Sequence, residues 1–229
     1  MSVGGPTRPL WVFAYGSLMW QPGFRHAEAH HARLDGYHRA FCVYSLHYRG
    51  TPERPGLVLG LARGGTCEGI AFRVADEDAV PVRAYLHARE LIYGVYREAM
   101  LPARILTAGG ADRVDVLTYV AETCHPSFAG ALPLARQAAI IRAAQGRSGS
   151  NLAYFAATLR KLAELGIRQR ELERLAAVAG VAGPALHAAG GTTGLDARCR
   201  AFAARPARAP GPLRNDRRHA FAFRRALAP

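Results

Sequence analysis

Lysine is almost missing from this chain. Of 229 residues only Lys161 is lysine, against 29 arginines, while the acids number 17 and the formal net charge is +13. Heavy use of Ala, Gly and Pro accompanies the arginine, so the excess reads as a compositional habit before it reads as selection for a polyanion. The charge is also uneven: residues 183–229 hold nine arginines and two acids, giving +7 and leaving +6 for the rest. Long apolar runs are lacking too. No stretch approaches the ~18 apolar residues of a membrane span. Residues 10–19 are interrupted by Gly16 and Ser17, with no small-residue cleavage site behind them, so neither membrane attachment nor a signal peptide is expected. The four cysteines, 25, 57 and 75 residues apart, form no C-x-x-C pair, which points to free thiols in a reducing cytoplasm. His26, His30 and His31 cluster without a carboxylate or thiolate at ligand spacing, so no metal is expected. A Walker loop, a dinucleotide fingerprint and G-x-S-x-G are all absent.

What is present is globular: half the residues are hydrophobic and 21% charged. Residues 11–15 are apolar on both alternating faces and read as a strand buried on both sides. Further β-rich runs cover 37–46, 56–62, 67–74 and 114–121, and the Pro- and Gly-rich segment 49–56 reads as a loop. Asp78 as N-cap with Pro81 in the first turn predicts a helix to about residue 91, stopping near Gly94. Helices follow at 133–145, from a cap at Ser150 or Asn151 to before Gly166, and at 168–178. Strands first and helices later, with one helix inserted, predict an α+β domain on a strongly twisted sheet or small barrel. That domain spans 1–182, followed by an Arg/Ala/Gly/Pro-rich, mobile tail at 183–229.

Two places could carry chemistry. In Phe13-Ala14-Tyr15-Gly16-Ser17-Leu18 a buried strand delivers a glycine turn whose N–H groups lie beyond the ladder, suited to a carboxylate or a developing oxyanion; the same residues also read as a plain β-turn. Glu90 falls on the stripe Val82, Leu86, Glu90, Tyr93, where an apolar residue would continue the buried face. A carboxyl there has its charged form disfavoured, which suits a group that takes and returns a proton. A Glu turned to solvent, or paired with Arg83 or Arg89, is the other reading. Glu98, Glu53 and Glu68 show no such anomaly. Arg49 and Arg54, on the loop, could grip a carboxylate, although among 29 arginines each also reads as a solvated loop residue, and Asn151 reads as a helix cap, with a phosphate-binding helix terminus as the second reading.

Five segments in order complete the pattern: Trp11 to Trp20, the loop from His47 to Gly56, Cys67 to Val74, Ala84 to Glu90, and Gly146-Arg147-Ser148-Gly149-Ser150-Asn151. Together they resemble the ChaC-like family of γ-glutamylcyclotransferases over about residues 10–180. The resemblance implies a small mixed β-barrel with flanking helices that cleaves glutathione into 5-oxoproline and Cys-Gly without metal or cofactor. It implies that Glu90 is the proton acceptor, that the strand and turn Val12, Phe13, Ala14, Tyr15, Gly16, Ser17 and Leu18 bind the γ-glutamyl part, and that Arg49 sits in the substrate loop. The family usually carries glycine where Ala14 stands, although the wider superfamily often has alanine there. After Glu90 it tends to carry Lys-Gly-Gly-Tyr where this chain has Leu91-Ile92-Tyr93-Gly94-Val95-Tyr96, so the matching tyrosine is Tyr93 or Tyr96. Two other functions stand beside this one: a basic nucleic-acid-binding protein using the arginine-rich tail, and an inactive relative that only binds γ-glutamyl groups.

Overall fold

The computed structural model describes residues 9–107 and 110–181. Five strands close into a barrel: β1 (Trp11–Ala14), β2 (Glu28–Ser45), β3 (Gly56–Arg73), β4 (Tyr96–Thr107) and β5 (Gly110–Ala121), in spatial order β1-β3-β2-β4-β5. All pairings are antiparallel except β1 with β5, which run parallel and seal the barrel. The expected α+β class with a small mixed barrel is what forms.

β1 is short and fully enclosed between β3 and β5, which is why both of its faces are apolar: Val12, Phe13 and Ala14 are buried. β2 and β3 form one long hairpin whose register runs from Glu28↔Arg73 to Ser45↔Gly56. The runs expected separately at 56–62 and 67–74 are therefore one strand. The polar stretch between them, around Gly64 and Gly65, stays paired because β2 passes opposite it. β2 also begins well before residue 37. The register of the pair shifts where Gly36 of β2, at a positive φ of 83°, stands opposite both Gly64 and Gly65, so β3 carries the extra residue and the hairpin bends.

β4 is a strand the sequence pattern does not announce. Along Tyr96–Thr107 only Ala99, Ala103 and Ile105 are buried, and the other face carries Glu98, Met100, Pro102 and Arg104. Two small alanines give little hydrophobic signal, yet the strand pairs with β5 along its whole length.

Four helices pack outside: α1 (Ala79–Glu90), α2 (Leu134–Ala143), α3 (Asn151–Glu164) and α4 (Arg170–Ala179). Asp78 precedes α1 without capping it by its side chain; a 3₁₀ turn at Asp76–Asp78 leads in instead. Ser150 caps α3, its Oγ accepting from the Ala153 N–H at 3.1 Å. Asn151 has another task, described below. α3 presents Tyr154, Phe155, Thr158, Leu159 and Leu162 to the core at i, i+1, i+4 spacing, and each large apolar side chain buried so contributes about 1.5–3 kcal/mol. α4 ends at Gly180 in the left-handed conformation (φ 68°). The boundary expected at residue 182 and the tail at 183–229 lie outside the described residues. Among the described residues no helix is long and apolar enough to cross a membrane.

Candidate active site

One end of the barrel opens into a cavity of about 750 Å³. The residues just past β1, the end of β2, the starts of β3 and β4, the last turn of α1 and the first turn of α3 all reach it. A concave pocket of this size is the usual form of a small-molecule site. Phe13, Tyr15, Gly16, Ser17, Leu18, Arg49 and Glu90 line it together, so the residues picked from separate parts of the sequence meet in one place. Val12 and Ala14 do not line it; their side chains are fully buried in the strand. The departure from the family's usual glycine at Ala14 is thus away from the lining.

β1 ends at Ala14, and the chain turns through Tyr15 and Gly16 into a 3₁₀ turn at Ser17–Met19. The carbonyls of Gly16 and Ser17 accept the N–H groups of Met19, Trp20 and Gln21. The N–H groups of Gly16, Ser17 and Leu18 donate to no acceptor among the described residues, so three donors in succession are available to an anion.

Glu90 closes α1, where Val82 and Leu86 of the expected stripe are buried. Tyr93 lies beyond the helix end and is exposed, so the stripe stops at the carboxylate. About a fifth of the Glu90 side-chain surface stays accessible, at the cavity. Burial pushes its carboxyl above the usual range, and Arg89, with Nε 3.0 Å from Oε1, offsets only part of this. Enclosure and ion pairing, set as alternatives by the sequence, therefore coexist.

Arg89 escapes a reading of the sequence as a site residue, since it is one arginine among 29. Here its guanidinium spans the site: one Nη donates to Ser17 Oγ at 2.9 Å, and the other to the Gln21 carbonyl at 2.8 Å and to Tyr85 Oη at 2.9 Å. One planar group thus fixes the turn and the carboxylate relative to each other. Burial works against its charge, and Glu90 together with Tyr85 and Tyr154 outweighs it, so the guanidinium is held above its usual range.

Tyrosines enclose the rest. Tyr15 donates to the Tyr119 carbonyl at 2.8 Å and Tyr96 to the Leu59 carbonyl at 2.7 Å, and burial raises both phenols well above their usual range. The Tyr154 phenol is pushed up to about 12, chiefly by burial. These groups remain neutral and act as donors and walls. Tyr93 and Tyr96 both line the cavity, but differently: Tyr96 lies against the barrel, and Tyr93 stands at the mouth with His47 and Tyr48.

The loop side is built by close backbone approach. The hairpin of β6 (Gln145–Gly146) and β7 (Gly149–Ser150) docks on residues 47–49, with Arg147 N–H on the His47 carbonyl and Ser148 N–H on the Tyr48 carbonyl, both at 3.0 Å. A Cβ on Gly146 would lie 2.5 Å from the His47 oxygen and 2.6 Å from the Arg49 nitrogen, so only glycine permits the contact. Asn151, fully buried, accepts from the Leu57 N–H at 2.6 Å and donates to the Leu57 carbonyl at 2.7 Å, satisfying the start of β3 as a neighbouring strand would. Arg49 is held over the Tyr154 ring, with Nη1 on the Ser148 carbonyl at 2.6 Å. Arg54 does not line the cavity. No cluster of three or more His, Cys, Asp or Glu able to hold a metal occurs among the described residues.

Glu98, which shows no anomaly in the sequence, has a structural task. From β4 it contacts both Arg83 and His87 of α1, tying the helix that carries Glu90 to the barrel.

A carboxyl with a raised pKa, set by Arg89 beside three free N–H donors, can hold an anionic group and move a proton at an adjacent atom. Comparison with known proteins agrees with that architecture. The model of the ChaC-like protein family matches residues 10–181. A glutathione-specific γ-glutamylcyclotransferase of Escherichia coli K12 is 32% identical over 167 residues, covering 73% of this chain and 71% of the relative. The human glutathione-specific γ-glutamylcyclotransferase 1 is 32% identical over 188 residues, covering 80% and 82%. A crystal structure of a γ-glutamylcyclotransferase specific to glutathione from yeast superposes with a TM-score of 0.69 at 22% identity, over 75% of this chain and 96% of the other, and shares the fold. This chain belongs to the ChaC-like family.

Proposed function

We propose that the protein is a glutathione-specific γ-glutamylcyclotransferase, converting the γ-glutamyl unit to 5-oxoproline and releasing Cys-Gly. The observation that carries this is Glu90, enclosed and linked through Arg89 to the Ser17 hydroxyl of the turn whose N–H groups at residues 16–18 are free. In a γ-glutamyl group the α-carboxylate and α-amine share one carbon. An α-carboxylate on the turn therefore brings the amine to Glu90. The amine loses a proton to Glu90 and its lone pair attacks the γ-carbonyl carbon. The new C–N bond closes the five-membered lactam, the peptide C–N bond breaks, and Glu90 returns the proton to the leaving nitrogen. No electrons change hands. Because the attack is intramolecular, holding the chain folded back gains most of the rate. A carboxyl with its pKa raised toward neutrality is matched to both proton transfers.

Tyr15, Gly16, Ser17 and Leu18 form the γ-glutamyl pocket with Phe13, and Arg49 with its loop faces the Cys-Gly portion. The two thiols of Cys42 and Cys67, buried and unpaired, suit a cytoplasmic enzyme. Incubation of the purified protein with glutathione tests the reading: 5-oxoproline and Cys-Gly should appear in equal amounts, and their absence refutes it. Glutathione should be preferred over γ-glutamyl-alanine. Equal or faster turnover of the latter removes the specificity while leaving cyclotransfer in place.

A further inference from the structure

Arg39 is an arginine buried to 98% that the cyclisation described above does not use. It does not line the cavity. Its Nε donates to the Tyr15 carbonyl and one Nη to the Glu68 carbonyl, each at 2.5 Å; the other Nη donates to Gln169 Oε1 at 2.9 Å. Gln169 answers through Nε2 to the Arg39 carbonyl at 2.7 Å. Every one of these acceptors is neutral; the nearby Glu68 carboxylate acts on Arg39 only through space and pairs directly with His31 instead. Burying a guanidinium among neutral acceptors is costly, so its retention calls for a local reason.

The reason lies in the peptide between Tyr15 and Gly16. That bond is trans, so its C=O and N–H point in opposite directions across one rigid plane. With the carbonyl fixed toward Arg39, behind the cavity, the Gly16 N–H is directed away from Arg39, and Gly16 lines the cavity. We propose that Arg39 is a positioning residue for the γ-glutamyl pocket: by clamping the Tyr15 carbonyl it holds the turn with its N–H donors toward the substrate's α-carboxylate, and Gln169, at the start of α4, holds Arg39 in place. This rests on the cyclotransferase reading for the identity of the anion.

The contact is made equally to substrate and transition state, so its loss raises KM and leaves kcat. Arg39→Lys keeps the charge but cannot reach the Tyr15, Glu68 and Gln169 acceptors together. Its KM for glutathione should rise at least about tenfold, with kcat within about threefold of wild type. An unchanged KM in folded Arg39→Lys overturns the proposal, as does a fall in kcat alone. Gln169→Ala, which loosens Arg39 without removing it, should raise KM about threefold. If Arg39→Lys does not fold, an unchanged KM in Gln169→Ala overturns the proposal. To separate this from failure of the cyclotransferase reading, glutathione affinity is measured by calorimetry in Glu90→Gln with and without Arg39→Lys. If wild type yields no 5-oxoproline but affinity still falls about tenfold on adding Arg39→Lys, the activity is wrong and the positioning stands. If wild type is active and affinity is unmoved, the positioning falls alone.

Discussion

The two sides of the cavity are held by different physics. On the barrel side, charged side chains fix the parts: Arg39 clamps the Tyr15 carbonyl, Arg89 joins Ser17 to Glu90, and Glu98 ties α1 to β4. On the loop side the backbone itself is packed: Gly146 lies against residues 47–49, and Asn151 completes the hydrogen bonding of Leu57. Substitutions on the first side change charge and proton affinity. On the second they move atoms.

Glu90→Gln puts the heaviest load on this contrast, since it removes the proton acceptor and leaves the shape. Initial rates of 5-oxoproline formation should fall roughly 10²- to 10⁴-fold, with folding intact. A loss within tenfold would take Glu90 out of the chemistry. Gly146→Ala acts from the other side by displacing the backbone that carries Arg49 and should lower kcat/KM more than about tenfold, because small misplacements of binding groups are costly. Normal activity there would show that the loop accommodates a methyl group and would break the comparison.

Asn151→Ala should weaken the fold itself. It strands the N–H and carbonyl of Leu57 in a buried position, at about 2–4 kcal/mol, read as a lower midpoint in urea. The smallest expected effect is that of Glu98→Gln, about 1 kcal/mol, because its partners are half-exposed. A several-fold fall in kcat would accompany it if α1 shifts.

Thermal melts across pH sharpen the contrast within the barrel side. The folded state raises the Glu90 carboxyl, so its charge costs stability above the unfolded value of about 4.5, fully so once pH exceeds the raised value. Glu90→Gln should melt higher than wild type at pH 8, and the gap should close as pH falls through that raised value. Burial alone would raise the Glu98 carboxyl too, but Arg83 and His87 overcome it and hold it low. Its contribution is present above the unfolded value and is lost as pH falls through the lowered one. Glu98→Gln should therefore melt lower at neutral pH and converge with wild type in acid. The same sign for both substitutions would show that one of the two environments is misassigned.

Much of the site was legible because its residues break local rules: a glycine turn at the end of a strand buried on both faces, and a carboxylate on an apolar stripe. Arg39 and Arg89 break none. In a chain with 29 arginines nothing local separates a buried guanidinium from a solvated one, and their partners lie up to 130 residues away. β4 was hidden because its inward positions are mostly alanine, and Asn151 because the cap signal fits Ser150 equally well. Asn151's partner, Leu57, is 94 residues distant. Patterns within a dozen residues report burial and turns. They carry no information about which loop a glycine must approach.

The parallel seam between β1 and β5 bears on how the chain reaches its working state. Thr118 Oγ1 donates to the Phe13 carbonyl and Tyr15 Oη to the Tyr119 carbonyl across separations of 105 and 104 residues, whereas β2 and β3, like β4 and β5, are neighbours in sequence. Local hairpins form at small entropic cost, and closing a loop of about a hundred residues comes late. The seam ends where the turn at residues 15–18 begins. An intermediate with both hairpins formed but the seam open would have most of its strands and no binding pocket, so the onset of activity during refolding should track protection of the amides in β1 against hydrogen exchange rather than the growth of secondary structure.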